Sequence, residues 1–398
     1  MVPRIRQIQV RNFKSIERAV VDLEPFTVLV GPNGAGKSNF VEALSLLREC
    51  VVEGLAKALR HPSAAVLPRW SQGPSENLGL HVRLDLPGGT RADYALEIQC
   101  SMVKRPIVAR ERCVVSGGGK PEASFEVVEG EFVQGIAGIS PRIESDRLAL
   151  FAASTIGAFR PVYDFIAAIR RYSINPQQVA TGSARGADPG QVLSRDGDNA
   201  LFVLKAMEEE SPAARSRVAS LLGRAVKGVV AVRAREVGDG LALEVTQDLG
   251  LDRSHWFAGS EVSDGTLRLL GILLAVYQPD GPSVMAIEEP ESTVHPAATQ
   301  VITQVLLDAA QERQVLITTH SPDVLDSKDL SDDQIRVVTQ RHGRTIIAPL
   351  SHASRQAIRE RLYTPGELLR LDELDQDIDA AEAAAQDLDL FPSQPVPS

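Results

Sequence analysis

Hydrophobic positions along the chain follow two rhythms. Residues 4–10 alternate, with Ile5, Ile8 and Val10 apolar, and 26–30 form a short continuous apolar run that stops at Gly31. The first pattern predicts a half-buried strand and the second a strand buried on both faces. Alternation over 78–86 resumes at 94–98 after the Pro87-Gly88-Gly89 turn, and 125–132 predicts a further strand. Phe40, Val41, Leu44, Leu46 and Leu47 recur at helical spacing, so 38–50 is expected to be a helix. The texture turns helical over 148–153, 162–171, 199–210 and 213–226, with a Gly/Ala/Asp/Pro loop at 182–190, and returns to strand-like alternation over 231–249. A helix at 266–277, a buried strand at 283–287, a helix at 296–312 and a strand at 314–318 follow. There is no internal repeat, and no heptad run long enough for an extended coiled coil.

Length and composition narrow this picture. The 398 residues, 43% hydrophobic and 24% charged, are ordinary for a globular chain of two or three structural units. No apolar run approaches the roughly 18–20 residues of a membrane helix, and the start of the chain lacks a signal-peptide core. Cys50, Cys100 and Cys113 are too few and too scattered for a disulfide framework or a metal site, and predict inert thiols in a cytoplasmic protein. The net charge of −10 is uneven: residues 365–398 hold nine acids and one base, so −8 belongs to the tail and −2 to everything before it. The acidic balance therefore describes a tail, expected to be partly disordered, and says little about the body.

The sharpest chemical signal is Gly31-Pro-Asn33-Gly34-Ala35-Gly36-Lys37-Ser38, followed by Asn39. A phosphate loop needs glycines so that backbone N–H groups converge on the anion. A lysine reaches the β- and γ-phosphates, and a hydroxyl binds Mg²⁺. The required context, an apolar strand before and an amphipathic helix after, is present. About 250 residues later Ser283–Ile287 runs into Glu288-Glu289-Pro290-Glu291. An acid at a strand end holds Mg²⁺ and a second polarises water, so Glu288 is expected at the metal and Glu289 at the water. The plain alternative is a solvated acidic loop. Leu316-Ile-Thr-Thr-His320 places a histidine at the next strand end, where it can reach a γ-phosphate. Ser263-Asp264-Gly265-Thr266 opens the helix at 266–277, either as an ordinary N-cap or as an anion site.

This order of motifs resembles the ATP-binding-cassette (ABC) type of ATPase head, and in particular the RecF/SMC-like ATPases of prokaryotes, related to the ATPase part of OLD-family nucleases. Val10-Arg-Asn-Phe-Lys-Ser15, the phosphate loop, 263–270, 287–296 and 318–322 carry the resemblance, and it covers nearly all of residues 1–350. It implies an α/β fold: a P-loop head with a mixed sheet, an antiparallel β lobe and an inserted helical subdomain. The corresponding division is 1–144 for the N-terminal lobe, 145–235 for the helical insertion, 236–350 for the C-terminal lobe and 351–398 for the acidic tail. It also implies that two heads sandwich two ATP molecules, with Ser263 and Gly265 reading nucleotide across a homodimer or higher oligomer. Catalysis would fall to Glu289, His320 and Lys37, and the metal to Ser38, Glu288 and Gln72, the last from Trp70-Ser-Gln72-Gly. Lys14 would approach the phosphates or the base.

Two departures stand out: Glu288 where Asp is commoner, and Ser-Asp-Gly-Thr in place of Ser-Gly-Gly-Gln. The insertion is too short for an SMC-type arm. Asp377-x-Asp379 and Asp387-x-Asp389 have metal-like spacing but no apolar strand before them, so they read as a solvated tail and no nuclease activity is expected. The expected function is an Mg-dependent ATPase switch in DNA repair or anti-phage defence. The alternative is a module that regulates a separately encoded effector protein. Double-stranded DNA would meet Lys104, Arg105, Arg110 and Arg112 in the first case. No membrane association is expected.

Overall fold

The computed structural model describes residues 2–59, 77–100, 105–117, 120–135, 143–144, 146–181, 192–248, 250 and 254–392. Three sheets organise them. The first has seven antiparallel strands in the order β2-β1-β4-β5-β6-β7-β8. These are β1 (Arg4–Phe13), β2 (Ile16–Asp22), β4 (Leu78–Asp85), β5 (Thr90–Gln99), β6 (Ile107–Gly117), β7 (Lys120–Val128) and β8 (Glu131–Gln134). The second, central sheet runs β16-β15-β3-β14-β13-β9. It comprises β3 (Phe26–Val30), β9 (Ile169–Tyr172), β13 (Val284–Glu288), β14 (Gln314–Thr319), β15 (Ile335–Arg341) and β16 (Arg344–Pro349). All are parallel except β16. The third is the small antiparallel sheet β10 (Val229–Val237), β11 (Gly240–Asp248) and β12 (Ser254–Ala258).

Helices cover both faces of the central sheet. They are α1 (Lys37–Glu53), α2 (Leu55–Ala58), α3 (Ala149–Ala153), α4 (Arg160–Ala167), α5 (Pro176–Thr181), α6 (Ala200–Glu210), α7 (Pro212–Ala225), α8 (Asp264–Tyr277), α9 (Pro296–Ala309), α10 (Pro322–Leu325), α11 (His352–Arg359), α12 (Pro365–Arg370) and α13 (Ile378–Gln386). The period of two in the buried strands decides which core each side chain joins. Leu29, Val284, Ala286 and Leu316 face α1, which is sandwiched against the seven-stranded sheet through Phe40, Leu44 and Leu47. Phe26, Val28, Val30, Met285, Ile287, Val315 and Ile317 face α8 and α9 on the other side. A strand buried on both faces must be apolar or have its polar groups satisfied, and Phe26–Val30 is apolar but for Thr27, whose hydroxyl donates to the Glu24 carbonyl.

One helix boundary differs from the sequence reading. The helix expected over 162–171 stops at Ala167, and Ile169–Tyr172 instead joins the central sheet beside β13. Four residues are too few for alternation to outweigh the helical rhythm before them. The acidic tail is folded where it is described, through Pro392, and residues 393–398 lie outside the described residues. Asp377 caps α13 by accepting from Ala380 N, Leu390 is buried, and Arg112 donates to the Pro392 carbonyl at 2.5 Å. The Arg110 guanidinium stacks on the Phe391 ring at 4.3 Å and pairs with Glu126. Two of the bases expected to meet DNA are thus engaged within the chain, and Lys104 lies outside the described residues.

A buried acid ties the antiparallel lobe to the helices that follow it. Glu111 on β6 is fully buried and accepts from the amides of Ala149 and Leu150 at the start of α3, and from the Tyr94 hydroxyl at 2.9 Å. Burial pushes its pKa up from 4.5 to about 7, the amide bonds opposing. The folded state then binds more protons than the unfolded one between those values, so this group's contribution falls as pH rises from 4.5 to 7. Glu111→Gln is expected to remove up to about 3 kcal/mol of that pH dependence. Thermal unfolding at pH 5 and pH 7 tests it: equal slopes for the two proteins would refute the assignment. Burial also raises the Cys50 and Cys113 thiols, which leaves neither a thiolate near neutral pH.

Candidate nucleotide site

Strands β3, β14 and β13 are parallel neighbours, so their carboxyl ends share one edge. Each ends in a motif: Gly31 after β3, His320 after β14, and Glu288 with Glu289 at the end of β13. That is the edge at which open α/β sheets bind ligands.

The phosphate loop is braced from behind by a directed chain of hydrogen bonds. Asn39 Nδ2 donates to Ser15 Oγ (2.6 Å), Ser15 Oγ lies 2.7 Å from Thr345 Oγ1, and Thr345 donates to the Ala35 carbonyl (2.8 Å). Because the Thr345 proton goes to Ala35, Ser15 is the donor in the middle bond. Gly36 sits at φ 106°, and a Cβ there would stand 2.0 Å from Thr345 Oγ1, so the position admits only glycine. Lys37 is buried, and its ammonium donates to the carbonyls of Gly31 (2.7 Å) and Pro32 (3.0 Å). Burial lowers its pKa, while Glu289 and Glu291 act in the opposite direction. No side chain caps α1, and its first turn holds no acid. Uncapped amides at a helix start, with Asn33, Gly34 and Ser38 exposed beside a lysine, suit a triphosphate.

Glu289 lies just past β13 at φ 43°, in the left-handed region. Its amide donates to the Thr318 carbonyl at 2.9 Å and its carbonyl accepts from Arg268 at 3.2 Å. Its carboxylate lies 3.5 Å from His320 Nδ1, and both side chains stay accessible, at 36% and 47% exposure. Glu288 points elsewhere. Only 11% exposed, it is held by Arg171 Nε on β9 at 2.5 Å. Arg171 also lies 3.8 Å from Glu42, which pairs with Lys14. Lys14 is thereby bound to α1. Arg171→Met, which strands Glu288, is expected to cost about 2–4 kcal/mol, with part recovered in the double variant Arg171→Met/Glu288→Met. Additive losses in a double-mutant cycle of urea unfolding would refute the coupling.

The helix that opens with Ser263 is tied to the same turn. Ser263 caps α8 and shares a 2.9 Å hydrogen bond with Thr266. A Cβ on Gly265 would stand 2.7 Å from the Thr293 carbonyl, so the helix start packs closely on the segment after Glu289. Arg268, one turn further along, reaches the Glu289 carbonyl. The fold thus gathers Lys37, Glu289 and His320, and links Ser263 and Gly265 to them through residues 289–294. Gln72 lies outside the described residues. Arg171, Arg268, Thr345 and Glu291 were not singled out by sequence, although Glu291 stands two places after Glu289 and Arg268 five after Ser263.

The residues expected to hold a metal can be tested against the geometry. Among the described residues no group of three or more His, Cys, Asp or Glu is arranged to hold an ion. Mg²⁺ in phosphoryl-transfer sites takes most of its ligands from phosphate and water, with one hydroxyl and one acid from the protein. Ser38 is exposed for the first, while Glu288, the acid expected for the second, is held by Arg171.

These features define an ABC-type ATPase head. Comparison with known proteins agrees: residues 4–51 match a family described as "AAA ATPase domain", and residues 185–326 one described as "AAA domain, putative AbiEii toxin, Type IV TA system". The chain is 36% identical over 86 residues to the DNA replication and repair protein RecF of Mesorhizobium japonicum, covering 21% of each protein. It is 42% identical over 43 residues to the OLD nuclease of Thermus scotoductus, covering 11% of this chain and 8% of that one. The chain therefore spans about a fifth of the first of these relatives and less than a tenth of the second. A solved SMC head bound to the C-winged helix domain of ScpA shares the fold, with TM-score 0.53 at 15% identity, covering 89% of this chain and 99% of that one. The chain thus has the fold of an SMC head and resembles RecF/SMC-like ATPases of the ABC type in its motif-bearing segments. No helix among the described residues is long and apolar enough to cross a membrane.

Proposed function

We propose that the chain is an Mg-dependent ATP hydrolase that works as an ATP-driven dimerisation switch in DNA repair or anti-phage defence. The observation that carries this reading is the single edge holding Lys37, Glu289 and His320, with α8 fastened to the same turn through Arg268 and Gly265. Lys37 and the α1 amides hold the phosphates. Glu289 positions the attacking water and accepts its proton, and His320 senses the γ-phosphate. Ser38 and Glu288 would hold Mg²⁺, which would supply charge neutralisation to the bound phosphates. Ser263 and Gly265 meet nucleotide on a second head, so ATP favours the closed dimer and hydrolysis removes the contacts that hold it. Steady-state turnover with and without double-stranded DNA, alongside light scattering with ATP, tests the reading. Turnover that DNA stimulates, with mass doubling in ATP, is the expected result. A monomer at every nucleotide state would refute the switch.

The second reading is a module that controls a separately encoded effector. The match of 185–326 to a toxin–antitoxin description favours it, as does the engagement of Arg110 and Arg112 by the chain's own tail. Turnover indifferent to DNA, with a partner that co-purifies, would shift weight to it.

A further inference from the structure

Glu291 is the buried acid in the site that no step above uses. It is 9% exposed, and Thr319 Oγ1 donates to its Oε1 at 2.5 Å. The same Thr319 oxygen accepts from the Ser321 amide at 2.9 Å. This chain, from the Ser321 N–H through the Thr319 hydroxyl to Glu291, straddles residue 320. It clamps both sides of the peptide that carries His320, whose imidazole among the described residues pairs with the Glu289 carboxylate. The other carboxyl oxygen, Oε2, is buried without a hydrogen-bond partner among the described residues, as is Arg268 Nε. A buried carboxylate with one oxygen unsatisfied is costly, whereas a carboxylic acid or an amide in the same place is far less so. The surroundings agree. Burial raises the Glu291 pKa, with Glu289 adding to the rise and Thr319 and His320 opposing.

We propose that Glu291 is a positioning residue that acts through Thr319 as a neutral hydrogen-bond acceptor, fixing the His320 imidazole on Glu289. The proposal rests on the ATPase reading for its consequence but on the hydrogen-bond chain for its substance. A neutral acceptor is replaced well by an amide and badly by a methyl group.

The test uses the full chain with Glu291→Gln, Glu291→Ala and Thr319→Val, measuring ATP turnover, affinity for a fluorescent ATP analogue, and the His320 imidazole resonances of isotope-labelled protein, assigned with His320→Gln. Glu291→Gln is expected to keep turnover within about threefold. Glu291→Ala and Thr319→Val are expected to lose at least about tenfold in kcat with affinity within about threefold, and to move the His320 resonance, which Glu291→Gln leaves in place. Loss in Glu291→Gln as deep as in Glu291→Ala would overturn the neutral-acceptor role, because only the ionised carboxylate would then serve. An unmoved His320 resonance in Glu291→Ala would overturn the positioning role. Absence of turnover in the unmodified chain would sink the ATPase reading alone, and the resonances would still decide this one.

Discussion

Glu289→Gln is expected to lower ATP turnover by about 10²–10⁴-fold, the range that a positioned general base supplies. Affinity for ATP should change by less than about threefold, because the substitution leaves the local geometry alone. The backbone at residue 289 is held by three groups that do not involve the carboxylate: its amide donates to Thr318, its carbonyl accepts from Arg268, and its neighbour Glu288 is bound to Arg171. A glutamine keeps the volume and one acceptor for His320 but takes up no proton. The consequence reaches beyond rate. ATP should persist between the two heads, and light scattering should show a stable dimer in ATP that the parent chain forms only transiently. Turnover within threefold of the parent would remove Glu289 from the chemistry.

Lys37→Ala is expected to weaken ATP binding by at least about 100-fold, the loss of a charge-assisted contact in a site shielded from water. Lys37 is 5% exposed and its ammonium is held by the Gly31 and Pro32 carbonyls, so it is preorganised at the mouth of the loop. Its charge is already partly desolvated, and a phosphate gains more from it there than from a lysine on the surface. The fold itself should survive, since Asn39, Ser15 and Thr345 brace the loop without help from Lys37. Titration with a fluorescent ATP analogue, paired with a thermal melt, separates the two effects. Retained affinity in a folded variant would refute the phosphate-loop role.

What the sequence made legible was the chemistry that must be contiguous. A phosphate loop, an acid pair and a histidine each sit at the end of one apolar strand, and a strand end is a local pattern. The partners of those residues come from elsewhere in the chain and were not legible. Arg171 reaches Glu288 because β9 lies beside β13, an adjacency that separates them by 117 positions in sequence. Thr345 reaches the loop from 310 positions away. The anchors of the tail were hidden for a different reason. Its order rests on a few buried anchors, Leu368, Leu374 and Leu390, set in a segment whose acidity dominates any composition-based reading.

The central sheet also sets a timetable for synthesis. Phe26–Val30, apolar at almost every position and the strand that delivers the phosphate loop, pairs with nothing made near it. Its neighbours are β14 and β15, so Phe26 waits for Val315 and Val28 for Ile335. At a ribosomal rate of about 5–20 residues per second, that strand is without its hydrogen-bonding partners for roughly 15–60 s. The seven-stranded lobe and α1 are made first and form an early shelter for one face, but the other face must be kept from aggregation until α8, β13 and β14 emerge. The ligand-binding edge is therefore assembled late, and a nascent chain has no nucleotide site until β14 and His320 have been made.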